Sequence, residues 1–136
     1  MAAKKAEQVL VDQWRDILVV HARTLCEIDR ALHQHGLGAS DFEVLDVLAD
    51  GAAPDGGCSY RVQEISDRVH LSQSALSRLI ARLEKDGLVT RGVCAEDRRG
   101  VRVSLTPKGR VLYGEALPVQ RAVLTRMLAG GAADND

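Results

Sequence analysis

Ser72-Gln73-Ser74-Ala75-Leu76-Ser77-Arg78-Leu79-Ile80-Ala81-Arg82-Leu83-Glu84-Lys85 reads as an amphipathic helix, and its neighbours decide the fold. Leu76, Leu79, Ile80 and Leu83 fall at i, i+3, i+4 and i+7 and form one apolar stripe. The opposite face holds Ser74, Arg78, Ala81 and Lys85, flanked by Ser77 and Arg82, with Gln73 at the N-terminal end. Ser72 is an N-cap candidate and Gly87 a stop. Upstream, Val62, Ile65 and Val69 predict a short helix over 62–69 with one buried face, and Leu71 packs in the turn. Downstream, Leu88-Val89-Thr90-Arg91 and the alternating Val101-Arg102-Val103-Ser104-Leu105 predict a β-hairpin. Its turn, 96–100, carries Arg98 and Arg99.

Two short helices followed by a hairpin with a basic tip place a helix of major-groove size beside a cationic loop. Arg pairs bidentately with guanine, Gln with adenine, and Ser with several partners. Ser74 and Ala81 are small enough to let the helix backbone sit deep in a groove. An Arg at a hairpin tip can enter a narrow minor groove, where the potential is most negative. Asp97 suits bracing of a neighbouring Arg or capping of the turn. The plainer reading of each feature, a solvated helix face and a solvated hairpin tip, weakens when the two occur together.

Charge distribution supports this. The net charge is only −1, yet from Arg61 to Arg110 eleven basic residues face six acidic ones. The remainder holds seven basic and thirteen acidic residues, so a basic middle lies between acidic flanks. Aromatics are 3% of the chain, which argues against single-strand binding by base stacking and predicts an aliphatic core.

A single domain suits 136 residues. Its first helix should run over about 4–34, with Leu10, Trp14, Ile17, Leu18, Leu25, Ile28 and Leu32 in a stripe and His21 and Cys26 on or beside it. So long a stripe needs a partner, and a second copy of the chain is the simplest one. Gly36 and Gly38 stop this helix. Ser40 and Glu43 form a capping-box pattern for the next, and 51–57 reads as a loop. The tail, 130–136, reads as disordered.

The start, Met1-Ala2-Ala3-Lys4-Lys5, leads into a charged helix pattern rather than a leader, and no apolar run approaches a membrane span. Cytoplasmic residence is the expectation. Cys26, Cys58 and Cys94 are odd in number and widely spaced, which suits neither a disulfide framework nor a structural zinc site. No nucleophile with its base, paired-carboxylate site or phosphate-cradling loop stands out, so an enzyme is not expected and no cofactor is implied.

These residues resemble the MarR family of winged helix-turn-helix transcriptional regulators. The run Leu71 to Val89 is similar to the family's recognition helix. Asp97-Arg98-Arg99 followed by Leu105-Thr106-Pro107-Lys108-Gly109 is similar to its wing signature. The resemblance covers about 14–128 and is firmest over 62–109. It implies a mainly α fold with a small β-hairpin: a winged helix-turn-helix lobe over about 40–106, with dimerisation helices over about 4–35 and 107–128. It implies a homodimer that binds palindromic operator DNA, usually as a repressor, and is released by a small phenolic or other organic ligand, an oxidant or, in some members, a metal. Carried over by position, Gln73, Ser74, Ser77 and Arg78 meet the major groove, Arg99 the minor groove and Arg98 the backbone, while Asp97 braces the wing; Arg82 and Lys85 add charge to the same face. The family's last helix is expected to be missing or vestigial, since one helix, with a bend at Pro118, fits before Gly130-Gly131.

For sensing, Trp14 with His21 are candidates to line an effector pocket, and Trp14 equally suits a core or interface anchor. Cys26 is a candidate redox thiol, with burial in the core the simpler expectation. His33 and His35 lie two apart on different helix faces, and no metal site is expected. A winged-helix protein-interaction module is the alternative reading; Arg78, Arg82, Lys85, Arg98 and Arg99 argue against it.

Overall fold

A computed structural model describes residues 2–50, 59–94 and 97–129, with side chains described for all of these except 93, 94 and 97–100. The expected loop at 51–57, Cys58 and the expected tail at 130–136 lie outside the described residues.

The 31-residue helix α1 (Ala2–Leu32) runs into a 3-10 turn (His33–His35) and ends at Gly36, whose φ of 71° is left-handed. Then come α2 (Ala39–Ala49), β1 (Tyr60–Arg61), α3 (Val62–Arg68), α4 (Gln73–Lys85), β2 (Val89–Cys94), β3 (Asp97–Leu105) and α5 (Pro107–Leu124), which passes into a π-helical turn (Thr125–Ala129). Pro118 lies inside α5. The three strands form one antiparallel sheet in the order β1-β3-β2. Strand β1 pairs Tyr60 with Val103 and is too short to leave an alternating signature. The hairpin is longer than its sequence suggests. Pairing extends out to Cys94 and Asp97, past an irregularity at Val93/Cys94, so most of the expected turn over 96–100 is strand.

The core is aliphatic around two rings. Phe42 and Leu45 of α2, Ile65 of α3, Leu76, Ile80 and Leu83 of α4, and Tyr60 and Val103 of the sheet are buried together. From the long helices, Ile28, Leu32, Ala116 and Val123 close this core.

Helix α2 starts differently from the expected Ser40/Glu43 box. Gly38 is its N-cap, and the Gly38 N–H donates to Asp41 Oδ2 at 2.7 Å. The next amide, Ala39 N–H, donates to Asp29 Oδ1 at 2.7 Å, so a carboxylate from α1 does part of the capping. Two aspartates thus cap the helix at the Gly38 and Ala39 amides, ahead of the expected Ser40/Glu43 box.

The Leu-Thr-x-x-Gly signature has a steric reason. Thr106 caps α5, its hydroxyl accepting from Gly109 N–H at 2.9 Å and donating to Gly87 C=O at 2.6 Å. A Cβ on Gly109 would lie 2.1 Å from the Leu88 carbonyl oxygen. Only glycine lets α5 approach the turn between α4 and β2 so closely. Gly87 itself has φ of +77° and turns the chain from α4 into β2.

Candidate nucleic-acid interface

Helix α4 forms as read. Ser72 is its N-cap, with Oγ accepting from Ala75 N–H at 3.1 Å, and Leu76, Leu79, Ile80 and Leu83 are buried. Gln73, Ser74, Ser77, Arg78, Ala81, Arg82 and Lys85 are all exposed on the other side. Gln73 Nε2 donates to Gln63 Oε1 at 3.1 Å, and Ser74 Oγ lies 3.3 Å from Ser72 Oγ, which fixes the N-terminal end of the face. Arg78 and Lys85 have no intramolecular partner among the described residues. Two cations on a packed helix are therefore free to meet phosphate or a base edge.

Arg82 is different. Its Nη2 donates to Oδ1 of Asp41, which is buried at the start of α2. Spacing along α4 alone could not separate Arg82 from Arg78; the distinction comes from a residue 41 positions away. Arg82 thus has a bracing role that the sequence reading missed. Glu84 is bonded by Arg91 of β2 at 3.1 Å, and this guanidinium holds its carboxyl below the usual range. The hairpin is tied to α4 by that pair, and α5 is tied to the C-terminal end of α4 by Lys108 Nζ donating to Asp86 C=O at 2.9 Å. The side chains of Asp97, Arg98 and Arg99 lie outside the described ones.

Behind the helix-turn-helix lies a cavity of about 740 Å³. Helix α1 supplies Gln13, Asp16, Ile17, Val20, His21, Thr24, Leu25 and Ile28, the start of α2 supplies Ser40 and Glu43, and residues 68–71 form the floor. His21 lines it as expected. Trp14 does not; it is 58% exposed on α1. Ser40, Glu43 and Thr24 were not singled out as pocket residues; Thr24, a hydroxyl within an apolar stripe, was the one available signal. Cys26 is exposed, against the expectation of burial: it sits on the side of α1 away from Ile28 and Leu32.

The apolar stripe of α1 changes character along its length. Thr24, Ile28 and Leu32 are buried by the rest of the chain, whereas Val9, Leu10, Trp14, Ile17 and Leu18 are 44–64% exposed. Val111 and Leu128 add to the exposed apolar surface.

A packed helix-turn-helix, with a polar and cationic outer face and a three-stranded wing, defines a winged-helix DNA-binding protein. The model of the MarR family matches residues 35–100. The chain is similar to the transcriptional repressor MdtR of Bacillus subtilis, 26% identical over 126 residues, 93% of this chain and 77% of MdtR. Among solved structures it is similar to AbsC, a MarR-family regulator of Streptomyces coelicolor, at TM-score 0.77 and 29% identity, covering 87% of this chain and 77% of AbsC. A second Streptomyces coelicolor MarR-family regulator, solved in complex with DNA, gives TM-score 0.78 and 27% identity over 92% of this chain and 75% of its own. By family model, relatives and fold alike, the chain resembles the MarR family of winged helix-turn-helix transcriptional regulators.

Proposed function

We propose that two copies of this chain join through the N-terminal part of α1 and bind a palindromic operator as a repressor, which a small organic molecule entering the α1–α2–α3 cavity releases. The observation that carries the DNA-binding part is the outer face of α4, where Arg78 and Lys85 stand exposed and unengaged beside Gln73, Ser74 and Ser77. On this reading Arg78 and Gln73 read base edges, and Ser74 and Ser77 allow close approach. Arg99 enters the minor groove, Arg98 meets the backbone and Asp97 steadies the hairpin.

The dimer is supported by the exposed row Leu10, Trp14, Ile17 and Leu18, contiguous apolar surface that a lone soluble chain rarely leaves in water. Residues 2–32 and 107–129 then form the dimerisation part, and residues 39–105 the DNA-binding lobe. Release is supported by adjacency: Ser40 and Glu43 of the cavity wall flank Asp41, which holds Arg82 of the recognition helix. A protein acting on the chromosome works in the cytoplasm, and among the described residues no helix is long and apolar enough to cross a membrane.

The direct test is fluorescence anisotropy with duplexes from upstream of the protein's own gene, titrated at low and moderate salt. We expect saturable binding to half-sites centred about 10 bp apart, weakening steeply with salt. No retention of any duplex in dilute buffer would sink the proposal. Retained binding to protein partners after Arg78 and Arg99 are neutralised together would favour the protein-interaction reading instead.

A further inference from the structure

We infer that the cavity takes an amphipathic organic cation, an apolar body ending in a protonated amine, in preference to an anion. The inference rests on reading the cavity as the effector site, and it comes from the charges on its wall.

Among the described residues, five ionisable side chains line the space: Asp16, His21, Glu43, Arg68 and His70. The one permanent cation is already matched. Arg68 Nη1 donates to Asp50 Oδ2 at 3.3 Å and to the Tyr60 hydroxyl at 3.4 Å, and its guanidinium lies over the Tyr60 ring. Asp16 and Glu43 have neither a hydrogen bond nor an ion pair among the described residues. An entering cation would therefore find two unmatched carboxylates, whereas an anion would have to displace Asp50 from Arg68 or rely on the imidazoles.

The start of α2 also faces the cavity, and a helix N-terminus ordinarily favours an anion. Here that advantage is already taken, because Asp29 and Asp41 accept from the Ala39 and Gly38 amides. Glu43 has a further carboxylate, Asp46, near it. Burial and then the neighbouring Asp46 push its carboxyl above the usual range, and Arg121 only partly offsets them. A bound ammonium would supply the missing counter-charge.

A second, independent feature points to a hydrogen-bonding ligand. Thr24, on the cavity wall, is only 9% exposed, and its hydroxyl has no hydrogen-bond partner among the described residues. A buried hydroxyl without a partner is costly, and an ammonium N–H is a donor it can accept. Around these polar groups Ile17, Val20, Leu25, Ile28 and Leu71 provide an apolar wall for the body of the molecule.

The test uses the full chain and three probes of matched shape: phenylbutylamine, phenylbutanol and phenylbutyrate. Binding is read by titration calorimetry and by ligand-induced thermal shift at about pH 8, above the usual imidazole range. We expect the amine to bind about tenfold or more tightly than either analogue, a preference that Glu43→Gln and Asp16→Asn each reduce. Both positions are exposed, and a melting curve without ligand confirms that the variants fold. Glu43→Lys should move the preference toward phenylbutyrate. Equal binding of all three, tighter binding of phenylbutyrate, or no binding of any would overturn the inference. A parallel anisotropy titration keeps the two readings apart. A chain that holds duplex DNA but prefers the acid remains a regulator without this ligand class. A chain that prefers the amine but ignores DNA keeps the cation site and loses the regulator.

Discussion

Arg82, on the recognition helix, is bonded to Asp41, buried in the first turn of α2, and Asp41 in turn accepts from the Gly38 backbone. The position of α4 is thereby fixed by a polar contact as well as by its apolar back. Arg82→Ala leaves a buried carboxylate with only its backbone donor. We expect a loss of about 1–2 kcal/mol, toward the low end for a charged hydrogen bond because the guanidinium is largely in water. A thermal melt checks this, and an unchanged melting temperature would refute the bracing role.

Arg78→Ala should do the reverse. With no partner among the described residues, its loss should change stability by no more than about 0.5 kcal/mol, read by a thermal melt. DNA affinity should fall by about 1–3 kcal/mol, with relaxed base choice at one position per half-site. Anisotropy against a set of single-base operator variants reads both effects.

Trp14→Glu and Leu18→Glu place a charge within the exposed stripe of α1. Neither residue is buried by its own chain, so folding should persist while association fails. Analytical ultracentrifugation at micromolar concentration should show a monomer for the variants and a dimer for the wild type. A dimer unaffected by both substitutions would move the interface elsewhere.

Gly109→Ala tests the close approach of α5 to the turn after α4. The new methyl would sit against the Leu88 carbonyl in the turn between α4 and β2, so α5 or that turn must shift. Overpacking of this kind costs about 1–3 kcal/mol, and direct contact with backbone puts it at the upper end. Urea unfolding should report a lower midpoint with little change in slope.

Tyr113 donates its hydroxyl to Asp46 Oδ1 at 2.5 Å and stacks on Phe42, joining α5 to α2. Burial, then the bond to Asp46, raises the phenol from 10.0 to about 12. The folded state therefore holds this proton more tightly than the unfolded chain. Its contribution is whole below about pH 10 and is lost as pH rises toward about 12. Tyr113→Phe should cost about 1 kcal/mol at neutral pH and flatten the alkaline decline in stability. Equal alkaline slopes for both proteins would refute this.

The helix-turn-helix was legible because Leu76, Leu79, Ile80 and Leu83 leave a stripe in a short window and Ser72 marks its start. Residues that act across the fold were not. Asp41 and Asp29 displaced the expected cap at Ser40 because which carboxylate reaches an amide depends on how α1 lies against α2. The pairing of Arg82 with Asp41 was hidden for the same reason. Cys26 borders the stripe in sequence, yet on the helix it falls beyond that edge and is exposed. Strand β1 is two residues long and offers no period to read. Of the α1 stripe, Leu10, Trp14, Ile17 and Leu18 remain largely exposed.

Helix α1 is held firmly along one end and bare along the other. From Ile28, which is buried, to Val9, which is exposed, the axis covers about 28 Å at 1.5 Å per residue. Such a rod is a lever with its fulcrum beside the cavity. A tilt of only about 5° at Ile28 carries Val9 through roughly 2.5 Å at that length. Should two such levers be fastened together at their tips, a guest wedged at either fulcrum would change how far apart the two reading heads stand.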